Sequence, residues 1–138
     1  MTQFLERMYR KFTFVNTNTG LLVLRIGVGA IFIMTGWMKF SDMQGTIGFF
    51  ASIGFAPFWA YLVTATELLG GITVLLGLGI YTRLAAKWLS IVMLVAIYLL
   101  RSNLQMEMTP VLMFFATAAL ICTGSGKYAL MHEKININ

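Results

Sequence analysis

The chain has 138 residues, 59% of them hydrophobic and 11% charged, with a mean hydropathy of +0.81 and a formal net charge of +5. An ordinary soluble domain carries about 25% charged residues, so this composition excludes that class. The basic residues are scattered singly rather than gathered in a run, which excludes a nucleic-acid surface and points to the lipid bilayer as partner.

Arg7, Arg10 and Lys11 precede the first apolar segment, 20–38. That segment is too long for the core of a signal peptide, and no small-residue cleavage pattern follows it, so it reads as a retained span. Along it Arg25, Gly29, Phe32, Gly36 and Lys39 recur at spacings of four and three, which places them on one helical face. The connection that follows contains 46–56, apolar but broken by glycine and too short to span. It reads as an interfacial or partly re-entrant segment.

The second apolar segment, 58–78, makes a helix of roughly 31 Å, the thickness of a bilayer core. Glu67 lies near its centre. Ala60, Thr64, Gly70, Gly71, Val74 and Gly77 share its face, a small-residue surface of the kind that lets membrane helices approach closely. A tight turn over 79–83 leads into a third span, 84–100, with Lys87 and Trp88 at its interface. The fourth, 109–123, carries Pro110 at an early helical position. Trp37 and Trp59 fit the opposite interfacial belt.

The expected architecture is all-α: one domain over 1–138, an integral membrane four-helix bundle. With the N-terminus inside, Arg7, Arg10, Lys11, Arg83, Lys87, Lys127 and Lys134 are cytoplasmic and only Lys39 and Arg101 lie outside. Seven against two predicts N-in/C-in, as a multi-pass protein of the bacterial cytoplasmic (inner) membrane.

A carboxylate at bilayer mid-depth costs a few kcal/mol unless it is paired, neutralised or used, so Glu67 is the leading functional candidate. Arg25 is the second. Their faces suggest that spans one and two pack together, yet a direct Arg25–Glu67 pair faces a height difference of roughly 8 Å. Side chains lean toward their own helix N-terminus, so these two lean apart. Direct pairing and snorkelling of Arg25 to the interface both stay open. In a purely structural alternative, a neutral Glu67 bonds Thr64 or Thr117 and only holds helices together. Gly29, Gly36, Lys39, Gly70 and Gly71 are supporting candidates.

Other groups carry less. Cys122 is the sole cysteine, which excludes an intrachain disulfide and a dithiol redox centre, and it reads as a small packing residue. His132 is the sole histidine, so two-histidine haem ligation is excluded. Met106 and Met108 flank Glu107, the weakest of the candidates for a soft metal; no metal site is expected.

These features, in this order, resemble the DoxX family of small bacterial membrane proteins. The resemblance rests on Leu24-Arg25-Ile26-Gly27 through Gly36-Trp37-Met38-Lys39-Phe40, Gly54-Phe55-Ala56-Pro57, and Glu67-Leu68-Leu69-Gly70-Gly71 with Leu76-Gly77-Leu78. It continues with Arg83-Leu84-Ala85-Ala86 and Gly124-Ser125-Gly126-Lys127-Tyr128-Ala129-Leu130, so it covers about 21–130. The family usually has an acidic residue after its terminal glycine–tyrosine segment, where this chain reads Met131-His132. The resemblance implies a four-helix membrane protein that in some members is a subunit of quinone-linked sulfur oxidation. In others it gathers soluble redox enzymes at the membrane. The buried Arg and Glu belong to its pattern.

The expected function is a membrane subunit or scaffold of a redox, quinone-linked complex. Such a chain is a non-catalytic subunit rather than a stand-alone oxidoreductase, since it lacks haem histidines and paired thiols. Any redox cofactor is noncovalent, quinone being the candidate. The expected partners are a soluble or membrane oxidoreductase and further copies of the chain. The alternatives are a small proton-coupled transporter using Glu67, and an assembly protein with no chemistry of its own.

Overall fold

The structure is a computed structural model and describes residues 1–12, 17–101 and 108–131. Among these residues there are six helices: α1 (Thr2–Phe12), α2 (Thr17–Ser41), α3 (Met43–Ser52), α4 (Pro57–Leu76), α5 (Ile80–Leu100) and α6 (Met108–Thr123). An isolated parallel bridge, Leu78 to Met131, is the extended pairing found among them.

Local chemistry explains the boundaries. Asp42 caps α3 by accepting from the Gly45 amide at 3.0 Å. Pro57 opens α4, where its missing N–H costs nothing. Gly77, at a φ of 68°, closes α4 in the left-handed conformation that glycine adopts without strain. The sequence places the α4–α5 turn at 79–83; it is instead the shorter Gly77-Leu78-Gly79, and Ile80 to Arg83 already belong to α5. Two glycines of positive φ flanking one residue reverse the chain faster than a five-residue turn.

Three helices, α2, α4 and α5, are long and apolar enough to cross a membrane, and α6 is a shorter apolar helix of 16 residues. Their outward surfaces carry Val23, Ile26, Leu69, Ile72, Leu94, Val95, Leu112 and Phe115, all exposed. A water-soluble monomer does not display such a continuous apolar exterior. Lipid is the solvent these faces suit.

Helix α2 packs most extensively on α4, α5 on α6, and α4 on α5, while α3 lies against α4 and α2. The core between them is Val28, Phe32, Val74, Ala86, Leu89, Met93, Met113 and Leu120. Glycine sets the α2–α4 distance. A Cβ added at Gly71 would stand 2.9 Å from the Ile33 amide nitrogen and 3.0 Å from the Gly29 carbonyl oxygen. One added at Gly29 would stand 2.8 Å from the Leu75 Cβ. Both obstacles are backbone or its first side-chain atom, so the helices themselves must move apart.

Gly71→Ala is therefore expected to cost about 1–3 kcal/mol through overpacking. Gly27→Ala, with nothing within 4 Å of the new methyl, should be neutral or gain about 0.5–1 kcal/mol of helix preference. Unfolding in mixed micelles by titration with a denaturing detergent measures both. Equal stabilities for the two variants would refute glycine-set contact.

Candidate functional site: a lysine–glutamate pair on an apolar groove

The antiparallel α2–α4 contact fixes which residues share a level. Gly36 lies beside Glu67 and Leu68, Gly29 beside Gly71 and Leu75, and Arg25 beside Gly77. Arg25 is thus eleven residues of α2 away from the level of Glu67, roughly 16 Å. The two do not pair. The 8 Å expected from span boundaries is too small because contact register, not span length, sets relative depth.

Each charge finds a different partner. Lys39, in the last turn of α2, places its ammonium 2.5 and 2.6 Å from the two carboxylate oxygens of Glu67. The Glu67 side chain is 2% exposed and that of Lys39 is 31% exposed. Side chains lean toward their own helix N-terminus. In antiparallel helices Lys39 therefore leans toward mid-molecule while Glu67 leans toward the Lys39 end, and they meet. The Thr46 hydroxyl donates to the Lys39 carbonyl at 3.2 Å, tying α3 to the same turn.

Arg25, 1% exposed, leans like Lys39 toward the N-terminal end of α2, which takes it away from Glu67 and into the C-terminal end of α4. Its Nε donates to the Val74 carbonyl at 3.0 Å and its Nη2 to the Leu75 carbonyl at 3.0 Å. Nη1 donates to the carbonyls of Ser125 at 2.9 Å and Tyr128 at 3.3 Å. The acceptors are backbone oxygens, two of them left open by the end of a helix. Snorkelling is excluded by this burial. Arg25 ties the C-terminal end of α4 to the segment after α6.

The remaining candidates sort just as plainly. Thr64 is buried and donates to the Ala60 carbonyl at 2.8 Å, and Thr117 to those of Met113 and Phe114 at 2.9 Å. Each hydroxyl proton is used within its own helix, so the expected threonine bond to Glu67 gives way to Lys39. Gly29, Gly36, Gly70 and Gly71 are buried along the α2–α4 and α4–α5 contacts. Cys122 is exposed on α6 rather than packed. His132, Met106, Glu107 and Lys134 fall outside the described residues.

A groove of about 810 Å³ runs along α4 and α5 beneath α3. Lys39 and Glu67 are the two charged residues in its lining; Leu62, Leu69, Leu84, Ile91 and Val95 are among the aliphatic side chains of its walls. At the Lys39 end Phe49, Phe50, Phe55 and Trp59 form a chain of edge-to-face rings with centroids 5.9 to 6.3 Å apart. The groove offers one ionic locus inside an otherwise apolar, aromatic-rimmed slot, a setting that orients an elongated apolar molecule by a single polar end.

The comparisons with known proteins agree with this picture of a membrane protein. The chain is 44% identical over 78 residues to "Putative oxidoreductase CatD" of Bacillus subtilis (strain 168), a stretch covering 56% of this chain and 57% of that protein. It is 31% identical over 120 residues to "Inner membrane protein YqjF" of Escherichia coli (strain K12), covering 82% of this chain and 90% of that one. The chain thus spans little more than half of CatD and most of YqjF. No solved structure matches it. The DoxX family model matches residues 20–102, the stretch that holds Arg25, Lys39, Glu67 and the glycine faces, and the chain belongs to the DoxX family.

Proposed function

We propose that this protein is the membrane subunit of a quinone-linked redox complex in the bacterial inner membrane, with the Lys39–Glu67 pair as its ligand-facing polar site. The observation that carries the reading is the groove: largely apolar, rich in aromatic side chains, and holding one ion pair whose carboxylate is buried. The name "Putative oxidoreductase CatD" supports the redox setting, and "Inner membrane protein YqjF" the inner membrane. A quinone, when bound, would supply a two-electron couple with matched proton uptake and release. The lining suits such a molecule, with flat rings at the end where the charges lie, further rings of Tyr81 and Trp88 on α5, and aliphatic side chains between. Lys39 is positioned to donate a hydrogen bond to a carbonyl oxygen, and Glu67 to hold Lys39 and exchange a proton.

In this reading α2, α4, α5 and α6 form a four-helix bundle, N-in/C-in. Seven cytoplasmic basic residues against Lys39 and Arg101 on the outer side support this orientation. α3 then lies at the outer interface over the mouth of the groove. The soluble partner, and any oligomer, dock on this frame.

The test uses the protein in nanodiscs with Trp37 replaced by phenylalanine, since Trp59 and Trp88 line the groove and Trp37 does not. Decylubiquinone should quench the remaining tryptophan fluorescence saturably, and Glu67→Gln should weaken binding about tenfold, the worth of one charge-assisted bond. Absence of saturable quenching refutes the quinone site. Proton flux in liposomes that vanishes in Glu67→Gln would establish the carrier alternative instead. Cysteines at Gln44 and Lys127, in a Cys122→Ser background, should label from opposite sides of the membrane; labelling from one side refutes the orientation.

A further inference from the structure

We infer that α1 is a membrane-surface helix that lies on anionic phospholipid head groups beside the N-terminal end of α2. The inference stands independently of the redox reading. α1 has the sequence TQFLERMYRKF, with apolar residues at positions 4, 5, 8, 9 and 12 and polar ones at 3, 6, 7, 10 and 11. At 100° per residue these two sets fall on opposite halves of a helix. Phe4, Leu5 and Met8 are 67%, 55% and 46% exposed, so these three apolar side chains have no covering partner within the described residues. Glu6 and Arg7 are exposed as well.

Three observations identify what covers that half. The first is proximity. Only the residues 13–16 join α1 to α2, so the end of α1 lies within roughly 17 Å of Thr17, and α2 is a candidate membrane span. A helix on so short a tether cannot leave the neighbourhood of the interface. The second is charge: α1 carries Arg7, Arg10 and Lys11 against Glu6 alone, complementary to an anionic leaflet. The third is length. An isolated helix of 11 residues is marginal in water, and an apolar half-surface sunk into the head-group boundary supplies what it lacks. A span would require about twenty apolar residues, so α1 lies on the membrane rather than through it.

The experiment keeps the full chain, with Cys122→Ser removing the exposed native thiol. Single cysteines at Gln3, Phe4, Glu6 and Met8 carry an environment-sensitive fluorophore in vesicles of phosphatidylcholine with or without phosphatidylglycerol. In the anionic vesicles, nitroxide-labelled acyl chains should quench probes at 4 and 8 at least about threefold more than those at 3 and 6. Iodide in the water should show the reverse order. The difference should shrink in pure phosphatidylcholine, in high salt and in Arg7→Glu. Equal iodide access at all four sites overturns the proposal. So does protection at 4 and 8 that follows protein density rather than lipid charge, which would mark a second copy of the chain as the occupant.

Discussion

Lys39→Met is expected to destabilise the protein by about 3–5 kcal/mol, and Glu67→Gln by only about 1 kcal/mol. The asymmetry follows from burial. Glu67 is enclosed, and its two carboxylate oxygens face the Lys39 ammonium. Removing the ammonium strands a carboxylate in an apolar surrounding. Lys39, part exposed in the last turn of α2, can instead swing toward the head groups when its partner is neutralised. The longer, more flexible chain carries the escape route.

The double variant separates this pair from two independent losses. Lys39→Met with Glu67→Gln should fall close to Glu67→Gln alone, a coupling of about 3–5 kcal/mol. Interhelical hydrogen bonds in bilayers average only about 0.6 kcal/mol by the same kind of cycle, so a value several times larger identifies an ionic contact. Detergent-titration unfolding of the three variants supplies the numbers. Additive losses, or a Lys39→Met variant no weaker than Glu67→Gln, would refute the assignment of Lys39 as the partner.

The parts of this arrangement that sequence reveals are those that break the apolar background. Glu67 and Arg25 stand out because each is a charged group within an apolar span, and the glycines around them because they fall on the same helical faces. Cys122 shows the converse. Lipid and protein interior are equally apolar, so hydropathy cannot tell a packed face from a lipid-facing one, and a small thiol on the outside reads as a core residue. The Lys39 pairing was hidden by one boundary. Ending the first span at Met38 leaves Lys39 just beyond it, counted with the outer charges, whereas α2 runs on to Ser41. The signal was present in the directional lean already applied to Arg25: applied to Lys39 on the same face, it points at Glu67. The partners of Arg25 were beyond reach, because they are carbonyls of residues 49 to 103 positions away that every residue type possesses. α3 was obscured by Gly45 and Gly48, though Asp42 three residues before Gly45 is a capping signal.

Arg25→Leu is expected to lose about 3–5 kcal/mol and to release the segment 124–131. Four carbonyls converge on one guanidinium, two from the last turn of α4 and two from the chain after α6. The planar fork with five donors serves all four, and its charge opposes the negative end of the α4 dipole. Without it that segment keeps the Leu130 and Met131 amide bonds to the Leu76 and Gly77 carbonyls, and the Lys127 amide bond to Asn18. The amides of Leu130 and Met131 should then exchange with solvent far faster than in the parent, and trypsin should cut after Lys127, which is exposed. Arg25→Lys retains the charge as a compact point and loses the fork, so it should fall between parent and leucine variant. Gly77→Ala reaches the same outcome from the other side. Its new methyl collides with the guanidinium of Arg25, and its φ of 68° disfavours any side chain. Faster exchange at Leu130 in both Arg25→Leu and Gly77→Ala, but not in Gly27→Ala, ties the closure of this end to the guanidinium itself; unchanged exchange in Arg25→Leu would show that the backbone bonds alone hold it.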